Sequence, residues 1–195
     1  MLGDRQKLLV LSLIMIVVAV GGAVISMAIL YDTAFEEERA RLVESAQSQA
    51  RLIEAVARFD AKHSPDDVPG GAFEATLSQL RAAHAEFEGF GETGEFTVAK
   101  KEGDHIVFLL SHRHGGLSSP EPVPFSSDLA QPMRNALSGS AGTIVGRDYR
   151  GATVLAAYEP LAVLNIGIVA KIDLSEIRAP FIRAGIYAGA SALGL

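Results

Sequence analysis

The chain has 195 residues, of which 49% are hydrophobic and 21% charged, a net charge of -6 and no cysteine. The acidic balance argues against a nucleic-acid partner, whose phosphates call for clustered Lys and Arg. The lack of cysteine excludes a disulfide framework and thiolate metal sites, and leaves the redox compartment open. With the apolar ends set aside, about 150 residues remain, enough for one domain with its own core.

The stretch Leu8 to Leu30, LLVLSLIMIVVAVGGAVISMAIL, holds no charged residue and no proline. As a helix it covers roughly 34 Å, slightly more than the hydrocarbon core of a bilayer. The alternative is a cleaved signal, whose apolar core is typically about 7 to 15 residues and ends at a small-x-small site. This run is longer, and Ser26-Met27-Ala28 is a poor match, so an uncleaved anchor over 8–30 is expected. Arg5 and Lys7 precede it with Asp4, while Asp32 and Glu36-Glu37-Glu38 follow before Arg39 and Arg41. Lys and Arg in short flanks favour the cytoplasmic side, which puts residues 1–7 inside and the domain outside.

After the anchor the sequence carries neither glycine nor proline up to Ser64-Pro65. Phe35, Leu42, Ala46, Ile53 and Val56 form an apolar stripe on an otherwise charged helix, which suits packing on its own domain and equally a pairing with a second copy. Ser64 to Gly71, with two prolines, two acids and two glycines, stops the helix. Phe73, Leu77, Leu80, His84 and Phe87 mark a second amphipathic helix, with His84 at the core's edge. From Glu95 the pattern changes to strands: 95–100 alternates, 101–104 turns, and 105–112 is apolar on both faces like a central strand. A proline-rich loop, 115–124, leads to a short helix within 128–137, where Pro132 is tolerable only near the first turn.

The remainder predicts a three-strand meander: Gly142 to Gly146, the tight turn Asp148 to Gly151, then Ala152 to Tyr158 through Glu159-Pro160 to Leu164–Ile172. The last strand puts Ile166, Ile168, Ala170 and Ile172 on one face, and Gly167, Val169 and Lys171 on the other. Asp173 and Glu176 have the spacing of a capping box for a helix that follows. Its uncharged end, Ala184 to Leu195, spans only about 18 Å and reads as the first part of a second, truncated membrane helix. Gly185 and Gly189, four apart like Gly22 and Ser26, permit close helix contact.

In this order the chain resembles the single Cache domain, the PAS-like extracytoplasmic sensor module of bacterial sensor kinases, chemoreceptors and cyclases. The pieces that carry the resemblance are Leu155-Ala-Ala-Tyr-Glu-Pro160 and Gly167-Ile-Val-Ala-Lys-Ile-Asp-Leu-Ser-Glu-Ile177. It implies an α+β fold in which the long helix backs a five-stranded antiparallel sheet, with a small ligand on the opposite face beneath a cover such as 121–137. It also implies the division 1–7 cytoplasmic N-terminus, 8–30 transmembrane helix, 31–178 sensor domain and 179–195 start of a second transmembrane helix. The cytoplasmic output module would lie outside this chain, and the receptor would be a homodimer in the bacterial inner membrane.

Polar side chains on otherwise apolar strands are the candidate ligand contacts, because a buried polar group without a partner costs roughly 1 to 3 kcal/mol. They are His112 and Arg113 at the end of the second strand, Arg147 and Tyr149 around the meander turn, and Tyr158 and Lys171 within strands. Arginine grips a carboxylate with two parallel hydrogen bonds, and tyrosine closes an apolar pocket with one polar handle, so a small carboxylate or amino acid fits the set. Each has a plainer reading: Tyr149 and Arg150 as turn residues, Tyr158 as core, Lys171 snorkelling or paired with Glu159. His112 and His114 face the same way on a strand but lack a third ligand, so no metal is expected. No hydrolase or phosphate-binding motif appears, and neither cofactor nor enzymatic activity is expected within this chain. The rival reading is a membrane-anchored assembly protein whose outer domain recruits another protein.

Overall fold

A computed structural model describes residues 4–63, 69–86, 89–110 and 121–193. The elements are α1 (Asp4–His63), α2 (Gly71–Ala85), β1 (Glu95–Glu102), β2 (His105–Phe108), β3 (Val123–Pro124), α3 (Gln131–Leu137), β4 (Gly142–Arg147), β5 (Thr153–Leu161), β6 (Ile166–Asp173) and α4 (Leu174–Leu193). They form two compact units, Met1–Glu37 with Arg178–Leu195, and Glu38–Ile177.

In the first unit the side chains from Leu8 to Leu30 are solvent-exposed apart from half-buried Met27. Here Phe181 meets Tyr31 edge-on at 5.3 Å, and Arg178 donates to the Tyr31 hydroxyl at 3.4 Å. Among the described residues α1 is the one helix long and apolar enough to cross a membrane. The expected second membrane helix is not shown: α4 forms, but Arg178 and Arg183 sit in its first half and shorten its uncharged run. A Cβ added at Gly22, Gly185 or Gly189 would meet nothing within 4 Å, so the small-residue spacing serves no close helix contact among the described residues.

The second unit is α+β, built on one antiparallel sheet of order β3-β2-β1-β6-β5-β4. Among the described residues it has six strands where five were expected; the addition is the two-residue β3, which pairs Val123 with Ile106. The centre is β1 and β6, not the 105–112 segment, whose described strand ends at Phe108 next to the edge. β5 also runs through Glu159-Pro160 to Leu161, farther than the proline suggested. Its β4 neighbour ends at the Gly142–Tyr158 pair, so Pro160 lies where β5 has one partner strand and a missing N–H is tolerated. The chain then turns at Asn165, in the left-handed region with φ 54°, and β6 begins only at Ile166.

Alternation along the strands gives the sheet two different faces. Val98, Leu161, Ile166 and Ile168 pack against Ala50 and Ile53 of α1 and Leu77 of α2. The buried face of α1 is Leu42, Ala46, Ala50, Ile53, Ala57 and Asp60. The stripe is therefore right at Leu42, Ala46 and Ile53, but alanines stand where Val56 was expected, since a small side chain lets the helix lie close to its neighbour. Asp60 accepts from Thr76 Oγ1 at 2.7 Å and from Gln79 Nε2 at 3.1 Å, which ties α1 to α2.

The other face carries Ala99, Val154, Ala156 and Val169 beneath Ala130 and Met133. α3 is the cover on this face, with Pro132 in its first turn as the sequence required. Arg134 holds the entry to α3 by donating to the carbonyls of Phe125 and Ser127. Gly167 lets α3 approach: a Cβ there would lie 2.8 Å from Ala136 Cβ and 3.0 Å from Met133 Sδ. Gly167→Ala should therefore lift α3 from the sheet and lower stability by roughly 1–3 kcal/mol in urea unfolding.

Candidate functional site

Lys171 lies on the α3 face of β6 with 2% of its surface exposed, a position that an ammonium tolerates only beside counter-charges. The register of β1 on β6 puts Glu95 directly opposite it, and the Glu95 Oε1 to Lys171 Nζ distance is 2.6 Å. The turn between β4 and β5 brings the second carboxylate, Asp148 Oδ2, also at 2.6 Å. Asp148 shapes that turn as well, since its Oδ1 accepts from the amides of Arg150 at 2.8 Å and Ala152 at 3.0 Å. Arg150 donates to Asp148 at 2.7 Å and to Asp173 at 2.6 Å. Tyr149 donates to Glu95 at 3.1 Å and sets its ring 4.9 Å from the Lys171 ammonium.

Among the described residues, Glu95, Asp148 and Asp173 thus pair with the two cations Lys171 and Arg150. Burial by itself would raise the Asp148 pKa, but Lys171 and Arg150 outweigh it and hold the carboxyl below its ordinary range. Burial raises the Tyr149 phenol, and the Glu95 charge pushes it the same way, so Tyr149 acts here as a neutral donor. Burial would lower the Arg150 pKa, but the bonds to Asp148 and Asp173 raise it.

Against this cluster, under α3, lies a cavity of about 10 Å³, room for about one water. Thr97, Asp148, Tyr149 and Lys171 border it with Phe108, Ala130, Pro132, Met133 and Val169, and its exposed lining is almost wholly apolar. Two wider clefts lie along α1. One of about 420 Å³ runs beside Arg41, Ser45, Ser48 and Phe90, and one of about 220 Å³ runs between α1 and α2 beside Leu52, Val56 and Leu80. The first also borders Glu44 and Gln49 and has a more polar lining than the small cavity.

Of the six residues expected to contact a ligand, Tyr149 and Lys171 meet in this cluster. Arg147 does not: it is exposed on β4, where Nη1 pairs with Asp128 at 2.6 Å and its amide donates to Gln131 at 3.1 Å. Tyr158 packs half-buried among the apolar residues of the α3 face, away from the cluster. His112 and Arg113, with His114, lie outside the described residues. Lys171 does not pair with Glu159, which lies opposite Ile168 on the α1 face of the sheet. Asp173 and Glu176 bond elsewhere: Asp173 takes Arg150, and Glu176 accepts from the amides of Glu92 and Thr93, both at 2.8 Å. Sequence reasoning missed Glu95, Thr97 and Asp148. Their signal was weak, because an acid at a strand start or a turn is the ordinary expectation for a solvated residue.

Among the described residues no group of three or more His, Cys, Asp or Glu is placed to hold a metal. Compared with protein-family models and with curated proteins, the chain matches none.

Lys171→Met leaves two buried carboxylates facing each other and should cost roughly 3–5 kcal/mol in chemical unfolding. Adding Glu95→Gln should restore part of that loss. Because the folded Asp148 pKa lies below its unfolded value of 3.8, its contribution is fully present above that pH and lost as pH falls through the folded value. Acid unfolding followed by circular dichroism should show a limb below about pH 3.8 that Asp148→Asn flattens.

Proposed function

We propose that this is a membrane-anchored, extracytoplasmic sensory domain of the Cache type, which binds a small organic molecule on the α3 face of its sheet. The observation that carries the reading is the buried Lys171–Glu95–Asp148–Tyr149 cluster with a cavity against it, under a short helical cover. A core built for stability alone does as well with apolar side chains at those positions, because replacing a buried ion pair by packed hydrophobics is often neutral or favourable. Charges kept at a cavity have the character of a recognition site. A helix on one face of an antiparallel sheet and a cover on the other support the family resemblance.

The exposed apolar run of α1 supports an anchor, and the basic residues before it support a cytoplasmic N-terminus in the bacterial inner membrane. The uncharged end of α4 is the start of a second membrane passage in this reading, with the output module beyond it. Leu52 and Phe59, exposed seven residues apart on α1, support pairing with a second copy. The small size of the cavity favours the rival, an assembly protein that recruits a protein partner and holds no metabolite.

Two measurements decide. The chain has no cysteine, so Glu102→Cys gives a single label site. A membrane-impermeant maleimide should modify it on intact cells, and labelling only after lysis would refute the topology. Thermal-shift titration of the full chain in detergent with organic acids and amino acids should raise the melting temperature by several degrees at about 100 times Kd. Arg147→Ala should leave that response unchanged, because Arg147 pairs with Asp128 outside the cavity. Silence across the whole panel would favour the protein-recruiting rival.

A further inference from the structure

Asp173 and Glu176 have the spacing of a capping box, yet each is engaged away from that box. A local box gives the Asp173 carboxylate to an amide in the first turn of α4, and the Asp173 amide to the Glu176 carboxylate. Here the Asp173 carboxylate takes Arg150 at 2.6 Å, and the Asp173 amide donates at 3.0 Å to Thr93 Oγ1, 80 positions earlier in the chain. Thr93 donates its own hydroxyl to Glu176 Oε2 at 2.5 Å, and the Glu92 and Thr93 amides donate to the two Glu176 oxygens at 2.8 Å each. Loop 91–94 thus supplies, from across the fold, partners that the box would supply locally. The loop is shaped for this contact. Phe90 and Gly94 bridge its ends, with the Phe90 amide donating to the Gly94 carbonyl at 3.1 Å. Gly91 sits at φ 61°, where a Cβ would run into Glu176 Oε1.

Two sets of partners therefore compete for the same three groups: the Asp173 carboxylate, the Asp173 amide and the Glu176 carboxylate. We infer that the first turn of α4 is a two-position clasp, fastened to loop 91–94 in this arrangement and closed on itself by the Asp173–Glu176 box when it lets go. Letting go exchanges hydrogen bonds on α4 instead of losing them. Glu176 trades the Glu92 and Thr93 amides for the Asp173 amide, and Asp173 trades Arg150 for the amide of Ser175 or Glu176. Arg150 keeps Asp148, at 2.7 Å, in both positions, and the exposed Glu92 leaves its amide to water. An element with two satisfied arrangements is what a population shift acts on. The clasp is joined to the buried cluster twice, through Glu95, two residues after Thr93, and through Arg150. This device goes beyond the sensory reading and does not depend on it.

The test is amide hydrogen exchange of the full chain in detergent, read residue by residue by NMR. Thr93→Val, of nearly the same shape, should speed exchange of the Glu92 amide at least tenfold and slow that of the Ser175 or Glu176 amide at least threefold. Thr93→Ser, which keeps the hydroxyl, should leave all three within twofold of the parent. Adding Asp173→Ala to Thr93→Val should abolish the slowing, whereas Asp173→Asn, which still caps, should keep it. Asp173→Ala in the parent should leave the Ser175 and Glu176 amides within twofold, because there the carboxylate serves Arg150. Faster exchange at Glu92 without slowing in α4, or slowing that survives Asp173→Ala, overturns the inference. An unchanged Glu92 amide in Thr93→Val overturns it too. So does fraying of α4 by Asp173→Ala alone, a result read in the parent even if Thr93→Val does not fold. None of these outcomes touches ligand binding, so the sensory reading stands or falls by its own titration.

Discussion

The ammonium of Lys171, held between Glu95 and Asp148 at 2.6 Å each, is the constraint on which the arrangement of the domain turns. A lysine this deep in a sheet is tolerable only when both carboxylates arrive, and they come from segments far apart in the chain. Glu95 arrives through the register of β1 on β6; a slip of one residue would carry it to the α1 face and leave Lys171 with half its counter-charge. Asp148 arrives through the β4–β5 turn, which it also caps, so the turn's conformation and the lysine's charge balance depend on one side chain. The cover is linked to the same point, because the Ala130 amide donates to the Asp148 carbonyl at 3.1 Å just before α3 begins. Breaking such a pair from one side costs more than the pair itself contributes, and this asymmetry makes the cluster a strong selector of register.

The two faces of the sheet divide the work. Toward α1 and α2 the contacts are apolar, with alanines at 46, 50 and 57 bringing the helix close, and burial supplies the stability. Toward α3 the central strands carry Glu95, Thr97 and Lys171, and Gly167 lets the cover descend. The first face needs only volume and shape. The second needs particular atoms at particular places, because its buried charges are tolerated only beside their counter-charges.

This difference explains what was legible in the sequence. Periodicity showed the helices, the meander and the face assignment of β6, because apolar spacing is set by burial and each element displays its own. Pro132 near the start of α3 followed from the missing N–H. Extents were less accessible. β5 continues through Pro160 because β4 has already ended, and β6 waits for Asn165 to turn the chain; neither neighbour is visible from within the segment. Tyr149 and Lys171 could be singled out as polar residues among apolar ones. Glu95 and Asp148 could not, since at a strand start or in a turn an acid looks solvated until register and tertiary contact show what it faces. Arg147 misled for the converse reason: a cation near the right turn points at Asp128 on the outside of the cover.

Within the proposed sensor, the same connections set how occupancy would be felt. Asp173, two residues beyond Lys171 on the same face, takes Arg150 from the cluster, and α4 begins at the next residue. The first turn of α4 is held from another side, where Glu176 accepts from the Glu92 and Thr93 amides and Thr93 Oγ1 accepts from the Asp173 amide at 3.0 Å. The buried cluster is therefore joined through Arg150 and Asp173 to a network that ends on α4. The shift need not be large: a difference of about 1.4 kcal/mol in ligand affinity between two arrangements of that network changes their ratio tenfold.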